Sequence, residues 1–178
     1  MLSQLLYDVI GKLPCFIRLV DVKEYLPDVT DRDLRWYFVV EVNPVHEKRD
    51  GALVLRPASL YQSIIKKLQQ LHGDFGVAAA KSGLAAKYCN QWTRVAVVRA
   101  RHGAHRLVAS CLPLLQQVEQ QTVTVRTLYT GATLRQCYRF IRHHQRSYLE
   151  KIWSGLKTED ERNEMEAALM DLTCLEAL

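Results

Sequence analysis

The chain has 178 residues, of which 48% are hydrophobic and 24% are charged, a composition typical of a globular protein with a sizeable core. No run of about 18 uncharged apolar residues occurs, which excludes a membrane-spanning helix and a membrane partner. The first 13 residues lack the basic leader and cleavage site of a secretory signal. Five widely spaced cysteines, without a Cys-x-x-Cys pair, favour reduced thiols in an intracellular protein.

The net charge of +5 is unevenly distributed along the chain. Residues 1–80 carry ten basic and ten acidic side chains, whereas residues 81–157 carry thirteen Lys and Arg against only Glu119 and Glu150. Residues 158–178 then carry seven acids against Arg162. A concentrated positive block indicates an anionic partner, with nucleic acid as the first candidate, although a solvated basic surface is the plain alternative.

The first half of the predicted fold contains one strand and one helix. Arg35–Asn43 is rich in aromatic and β-branched residues and predicts a strand. Pro57 suits the first turn of a helix, apolar residues follow at helical spacing, and Gly73 is expected to end that helix as a left-handed cap. The Ala-rich segment after Gly73 is ambiguous, and its second half, which ends at Tyr88, is interpreted as a strand.

The second half continues this alternation of strands and helices. Thr93–Ala100 predicts a strand, and a helix from Gly103 to Leu115 should be bent or shortened by Pro113. Thr122–Tyr129 predicts the fourth strand, with Val123, Val125, Thr127 and Tyr129 on one face. A long helix should run from Thr133, a good N-cap, to Trp153. Thr158–Leu175 predicts a last, acidic helix with Thr158 and Glu161 as a capping box.

This order predicts an α+β fold. It matches the ferredoxin-like βαββαβ antiparallel sheet, with an added long basic C-terminal helix and an acidic terminal helix. Right-handed connections place both crossover helices on one face of the sheet, so the added helix, a partner or RNA must cover the other. We therefore divide the chain into an N-terminal extension (1–33), a ferredoxin-like RNA-binding domain (34–155) and an acidic C-terminal helix or tail (156–178).

The sharpest feature is a row of arginines on the long helix. Arg135, Arg139, Arg142 and Arg146 step by four, three and four residues, which aligns them in one stripe. They repel one another, no acid lies among them, and a polyphosphate would relieve that repulsion. Arginine also suits bidentate phosphate contacts. The alternative is an ordinary solvated face.

Further basic residues fall at predicted strand ends and turns, and together they are expected to extend the RNA-binding patch. They are Lys81, Lys87, Arg94, Arg99, Arg101, Arg106 and Arg126. Each one by itself is equally compatible with an ordinary surface charge.

Several familiar motifs are absent from the sequence or incomplete in it. The third strand lacks the aromatic residues on which RNA-recognition motifs stack bases. His102 and His105 form a His-x-x-His pair, but zinc would need two further ligands, so we predict no metal and no cofactor. Only two carboxylates occur in the basic block, which argues against a catalytic acid/base pair and against an enzyme active site.

Four blocks of the sequence resemble one known family, the smallest Pop-type ("Pop-five") subunits of ribonuclease P and ribonuclease MRP. Trp36–Val42 (WYFVVEV) resembles the first strand of the family, and Ser63–Ala79 (SIIKKLQQLHGDFGVAA) resembles its His-Gly-terminated helix. Ala86–Arg101 (AKYCNQWTRVAVVRAR) is similar to its Tyr-x-Asn turn and following strand, and Thr127–Phe140 (TLYTGATLRQCYRF) to its strand–Gly–Thr–helix junction. The blocks occur in the family's order and spacing.

The resemblance implies a ferredoxin-like fold and a non-catalytic subunit that supports a catalytic RNA in removing the 5′ leader of precursor tRNA and in pre-rRNA processing. Metal ions held by the RNA would perform the chemistry. It also implies a TIM-barrel-like "Rpp-thirty" subunit as protein partner, and a nuclear and nucleolar location. The chain departs from the family at its start, where 33 residues precede the first strand and Asp31–Leu34 replaces most of the family's basic segment.

A second hypothesis is a ferredoxin-like protein–protein interaction module whose basic residues meet an acidic partner. The chain's own acidic segment, residues 158–178, could mask the arginine row in the absence of RNA.

Overall fold

The structure, a computed structural model, describes residues 34–45, 54–153, 155 and 158–170. The predicted extension 1–33 lies outside the described residues, as do residues 156–157 and 171–178 of the acidic segment. Among the described helices, none is both long and apolar enough to cross a membrane.

One antiparallel sheet of five strands forms the centre of the described structure. Its strands lie in the order β2-β3-β1-β5-β4. The bounds are Arg35–Pro44 (β1), Ala85–Cys89 (β2), Val95–Arg101 (β3), Gln117–Val118 (β4) and Gln121–Gly131 (β5). The four predicted strands are present, whereas the two-residue strand β4, which forms a hairpin with β5, was not predicted.

In the described part of the chain, four helices accompany the sheet. They are Pro57–Lys81 (α1), His105–Cys111 (α2), Leu134–Trp153 (α3) and Glu159–Met170 (α4). A short 3-10 turn, Leu112–Leu114, follows α2, because Pro113 ends regular helix there as expected. The predicted capping box of α4 is formed, with Thr158 and Glu161 each accepting the other's backbone N–H at 3.3 Å.

The larger core lies between one face of the sheet and helices α1 and α2. From α1, Leu60, Ile64 and Leu68 are completely buried at the helical spacing that the sequence displays. They pack in the same cluster as alternate strand residues such as Val40 and Val98. The two crossover helices therefore share one face, as right-handed connections require.

A smaller core on the opposite face places α3. Cys137 and Ile141 of α3 are completely buried in one cluster with Val39 and Val97 of the sheet and with Tyr88. The face that the sequence left open is thus covered by the added helix of the same chain.

The segment after Gly73 departs from a simple helix end. Gly73 breaks the helix with a positive φ of 61° and a ψ of −160°, which confirms the predicted break, but a second helical segment then continues to Lys81. The absence of a side chain on Gly76 permits this second segment, because a Cβ atom there would lie 2.3 Å from the Cβ of His72.

The predicted alternation along β5 also fails at one point. The register between β1 and β5 shifts between Val39 and Val40. Such a bulge changes which face the following side chains meet. Val123 and Val125 pack with α1 and α2, whereas Tyr129 packs in the cluster beneath α3. Our assignment of Tyr129 to the face of Val123 and Val125 is therefore wrong.

Candidate nucleic-acid interface

Helix α3 is fixed to the sheet at both its start and its middle. The Thr133 hydroxyl accepts the backbone N–H of Gln136 at 3.3 Å, which confirms the predicted N-cap. Ile141 then packs on the sheet, and one turn later the buried Gln145 side chain donates a hydrogen bond to the Tyr88 hydroxyl at 2.8 Å. A buried hydrogen bond of this kind fixes the lateral position of the helix more sharply than apolar contact alone.

The four arginines of α3 lie on the solvent side of this attachment. Arg135, Arg139, Arg142 and Arg146 are all exposed, and we call them the arginine stripe. Among the described residues, an ion pair joins Arg126 to Glu41 and involves none of the four. Within the described part of the chain, the stripe is thus a row of guanidinium groups without carboxylate partners.

This arrangement has an electrostatic cost in the free protein. Neighbouring like charges three or four residues apart on a helix destabilise it by about 0.2–0.5 kcal/mol per pair. An RNA backbone brings evenly spaced negative charges and releases its own counterions on binding. The stripe is therefore suited to a long anionic ligand rather than to a single carboxylate.

A second group of basic side chains lies on the same face of the sheet as α3. In the register of β1 and β3, Arg35 is opposite Arg101 and Tyr37 is opposite Arg99. These positions lie two or four residues from Val39 and Val97, which α3 covers, so all four side chains project toward the α3 side of the sheet. Arg99 and Arg101 are half-buried. The Nε atom of Arg99 is buried without a hydrogen-bond partner in the structure.

The turn from α1 to β2 packs against the C-terminal end of β3, at Arg101. A Cβ atom on Gly83 would lie 2.5 Å from the Cβ of Arg101 and 3.1 Å from its backbone nitrogen. Only a glycine permits this approach, and it places Lys81, two residues earlier and exposed, near the end of β3. Of the predicted set, Arg99 and Arg101 therefore lie together on the α3 side of the sheet, whereas Lys81 lies at the exposed end of α1 beside the turn that contacts Arg101.

The remaining predicted residues do not join this group. Lys87 is half-buried at the irregularity between Ala86 and Tyr88, and Arg94 is half-buried in the β2–β3 turn with a φ of 57°. Arg126 is 3.5 Å from Glu41. His144 of α3 is electrostatically coupled to both partners of that pair and lies on the opposite flank of α3 from the stripe.

The histidines near the start of α2 pack with a tryptophan. His105 stacks on Trp36 at a centroid distance of 5.0 Å and on His102 at 5.1 Å. The Trp36 indole N–H donates to His102 Nδ1 at 3.4 Å. Burial, followed by the charges of His102 and Arg106, lowers the pKa of His105 to about 4.

In the described residues no group of three or more His, Cys, Asp or Glu side chains is arranged to hold a metal ion.

The described cysteines are unsuited to nucleophilic chemistry. Cys89, Cys111 and Cys137 are free thiols. Burial raises the pKa of Cys89 and of Cys137 to about 12, and it also raises the pKa of Cys111. A thiol with so high a pKa carries almost no thiolate at neutral pH.

Two features of this surface were missed from the sequence. Arg35 joins Arg99 and Arg101 only through the pairing register of β1 and β3, which the sequence does not display. Trp92 is 52% exposed in the β2–β3 turn. The Asn90-Gln91 turn signal beside it could have drawn attention to this tryptophan.

Comparison with known proteins agrees with the resemblance noted in the sequence. A bovine protein named "Ribonuclease P/MRP protein subunit POP5" is 30% identical over 113 residues, covering 61% of this chain and 66% of the bovine protein, just under two thirds of its length. Its human and zebrafish namesakes are each 29% identical, over 113 and 117 residues, and each match covers 69% of the relative.

A solved structure is also similar. A chain in the cryo-EM structure of yeast ribonuclease MRP superposes with a TM-score of 0.48 at 14% identity, over 70% of this chain and 100% of the yeast chain. The sequence profile of the Rpp14/Pop5 family matches residues 36–142, more than half of the chain and most of the sheet with α1, α2 and the first half of α3. The chain belongs to the Rpp14/Pop5 family.

Proposed function

We propose that the chain is a non-catalytic protein subunit of ribonuclease P and ribonuclease MRP that binds and supports their RNA. The observation that carries this proposal is the exposed arginine stripe of α3, held in a fixed position on a sheet of the same chain. Membership of the Rpp14/Pop5 family and relatives named as subunits of these particles support it. The strand order and crossovers fit a ferredoxin-like domain over residues 34–155.

The proposed role is positioning and charge neutralisation. Guanidinium groups of the stripe bridge phosphate oxygens, and Arg99 and Arg101 contact the same backbone from the neighbouring sheet. Such contacts hold two RNA segments close together despite their mutual repulsion. The cleavage of precursor tRNA at its 5′ end, and of pre-rRNA, then belongs to the RNA and its metal ions rather than to a side chain of this protein.

The same proposal includes partners and location. The particle supplies a TIM-barrel-like Rpp-thirty-type subunit and further proteins, and it works in the nucleus and nucleolus. Lys87, Arg94 and Arg126 of the predicted set are not assigned to this contact, because Lys87 and Arg94 are half-buried and Arg126 is 3.5 Å from Glu41.

Charge reversal within the stripe tests the proposal. Arg139→Glu combined with Arg142→Glu should weaken binding to the particle's RNA and reduce the slope of log K against log salt concentration. Losing two phosphate contacts lowers that slope by about 1.4 for single-stranded RNA to about 1.8 for a duplex. Binding is measured by fluorescence anisotropy of the full chain with labelled RNA between about 50 and 200 mM salt.

A matched control makes the same change of charge elsewhere. Arg56→Glu with Lys66→Glu alters two exposed residues at the start and middle of α1, which covers the other face of the sheet. This variant should keep most of the salt slope. An unchanged slope in the stripe variant, or an equal loss in both variants, would remove the stripe from the RNA interface.

A further inference from the structure

The side chain of Trp92 differs from the other described tryptophans in having no partner. Trp36 stacks on His105, and Trp153 has the guanidinium carbon of Arg162 5.4 Å from its ring centroid. Trp92 is 52% exposed. Among the described residues, its indole ring has no stacked ring, cation or side-chain hydrogen bond.

The turn that carries Trp92 is held in place by several hydrogen bonds. The Asn90 side-chain oxygen accepts the backbone N–H groups of Trp92 at 2.9 Å and Thr93 at 3.0 Å. The backbone N–H of Asn90 bonds to the carbonyl of Val95 at 2.9 Å, which closes the turn. Asn90 also donates from its side-chain amide to the carbonyl of Ala168 in α4. The indole is therefore presented by a braced turn rather than by a loose loop.

The strand that leads into this turn is also bonded to α3 beside one end of the arginine stripe. Tyr88, at the end of β2, accepts the hydrogen bond of Gln145, whose chain neighbour is Arg146. Helix α4 reaches the turn through a backbone carbonyl near its C-terminal end, whereas the carboxylates of its first turn, at residues 159–161, lie at the other end of the helix.

We propose that Trp92 stacks on an unpaired nucleobase of the RNA whose phosphates lie along the arginine stripe. This inference rests on the proposed function and adds a second kind of contact to it. An aromatic ring beside a basic surface is the combination that binds single-stranded RNA, because bases stack on the ring while cations hold the backbone. The long positive stretch 81–157, with only two acids, favours an anionic occupant over an apolar protein. The unpartnered indole beside it then favours RNA, because a nucleobase offers a flat ring for stacking and a carboxylate does not.

The test uses the full chain with two ligands of equal charge. One is a single-stranded oligoadenylate, and the other is an abasic ribose-phosphate oligomer of the same length. Trp92→Ala should weaken binding of oligoadenylate by about fivefold to a hundredfold, the range found for loss of one base–aromatic stack. It should leave binding of the abasic oligomer and the salt slope of both ligands unchanged, and Trp92→Tyr should restore most of the affinity.

Matched variants separate this inference from the proposed function. Trp153→Ala removes another partly exposed indole and should change oligoadenylate binding little. The stripe variant, Arg139→Glu with Arg142→Glu, should weaken the binding of both ligands. If Trp92→Ala changes the affinity for neither ligand, or weakens the binding of both equally, the stacking contact is refuted, while RNA binding by the stripe stands. If the wild-type chain binds neither ligand, the proposed function itself fails.

Discussion

The position of the arginine stripe depends on how firmly α3 is attached to the sheet, and Ile141→Ala measures that attachment. Ile141 is completely buried in the smaller of the two cores. The substitution removes three carbon atoms, worth about 2.4 kcal/mol at roughly 0.8 kcal/mol each. The cavity left behind adds to this, and measured Ile-to-Ala costs lie at about 2–5 kcal/mol.

We therefore expect Ile141→Ala to lower the free energy of unfolding by about 3 kcal/mol. For a domain of this size the loss corresponds to a fall in Tm of roughly 6–12 °C. Urea unfolding at pH 7, followed by circular dichroism, measures the free energy, and hydrogen exchange should show α3 amides accelerated more than those of β1 and β3.

The control for this variant is His143→Ala, an exposed position two residues further along the same helix. It should change stability by no more than about 0.5 kcal/mol. A cost below about 1 kcal/mol for Ile141→Ala would mean that α3 does not depend on this contact. The stripe would then lack the fixed position on which the proposed RNA interface depends.

The two remaining predictions concern pH and the acidic helix. Because burial and neighbouring positive charge lower the pKa of His105 to about 4, below its ordinary value of 6.5, the folded state disfavours the imidazolium form. The free energy of unfolding should therefore fall as the pH decreases from 6.5 toward 4. His105→Gln should make it depend less on pH, as measured by urea unfolding at several pH values. The same pH dependence in the variant and the wild type would contradict this assignment. Deletion of residues 158–178 should raise RNA affinity at low salt if this helix screens the stripe. The milder pair Glu164→Gln and Glu166→Gln, which neutralises two exposed carboxylates of α4, should act in the same direction. An affinity that does not rise in either variant would rule out that masking.

Local signals in the sequence predicted the elements of this fold well. The cap at Thr133, the capping box of Thr158 and Glu161, and the break at Pro113 all occur where predicted. These signals depend on neighbouring residues in the chain, so their physics is contained in a short window. The stripe could be predicted for the same reason, since helical spacing alone aligns its four residues.

Features that depend on pairing between distant strands could not be predicted in this way. The bulge that turns Tyr129 toward α3 arises from the register between β1 and β5, and nothing near Tyr129 in the sequence indicates it.

The sequence predicted the break at Gly73 but not the second helical segment that follows it in α1. The continuation depends on the close approach of Gly76 to His72 across that bend.

The same distinction explains why the basic surface has two parts of different character. The stripe is a property of one helix and would exist on any amphipathic helix with this sequence, but alone it would have no fixed orientation. The group of Arg35, Arg99 and Arg101 exists only when β1 and β3 pair in their observed register. In the proposed function, Arg99 and Arg101 of this group contact a phosphate that approaches beside α3. The proposed interface therefore has one part that helical spacing alone predicts, the stripe, and one part that only the pairing of β1 with β3 creates, and under the proposal both parts contact the same RNA backbone.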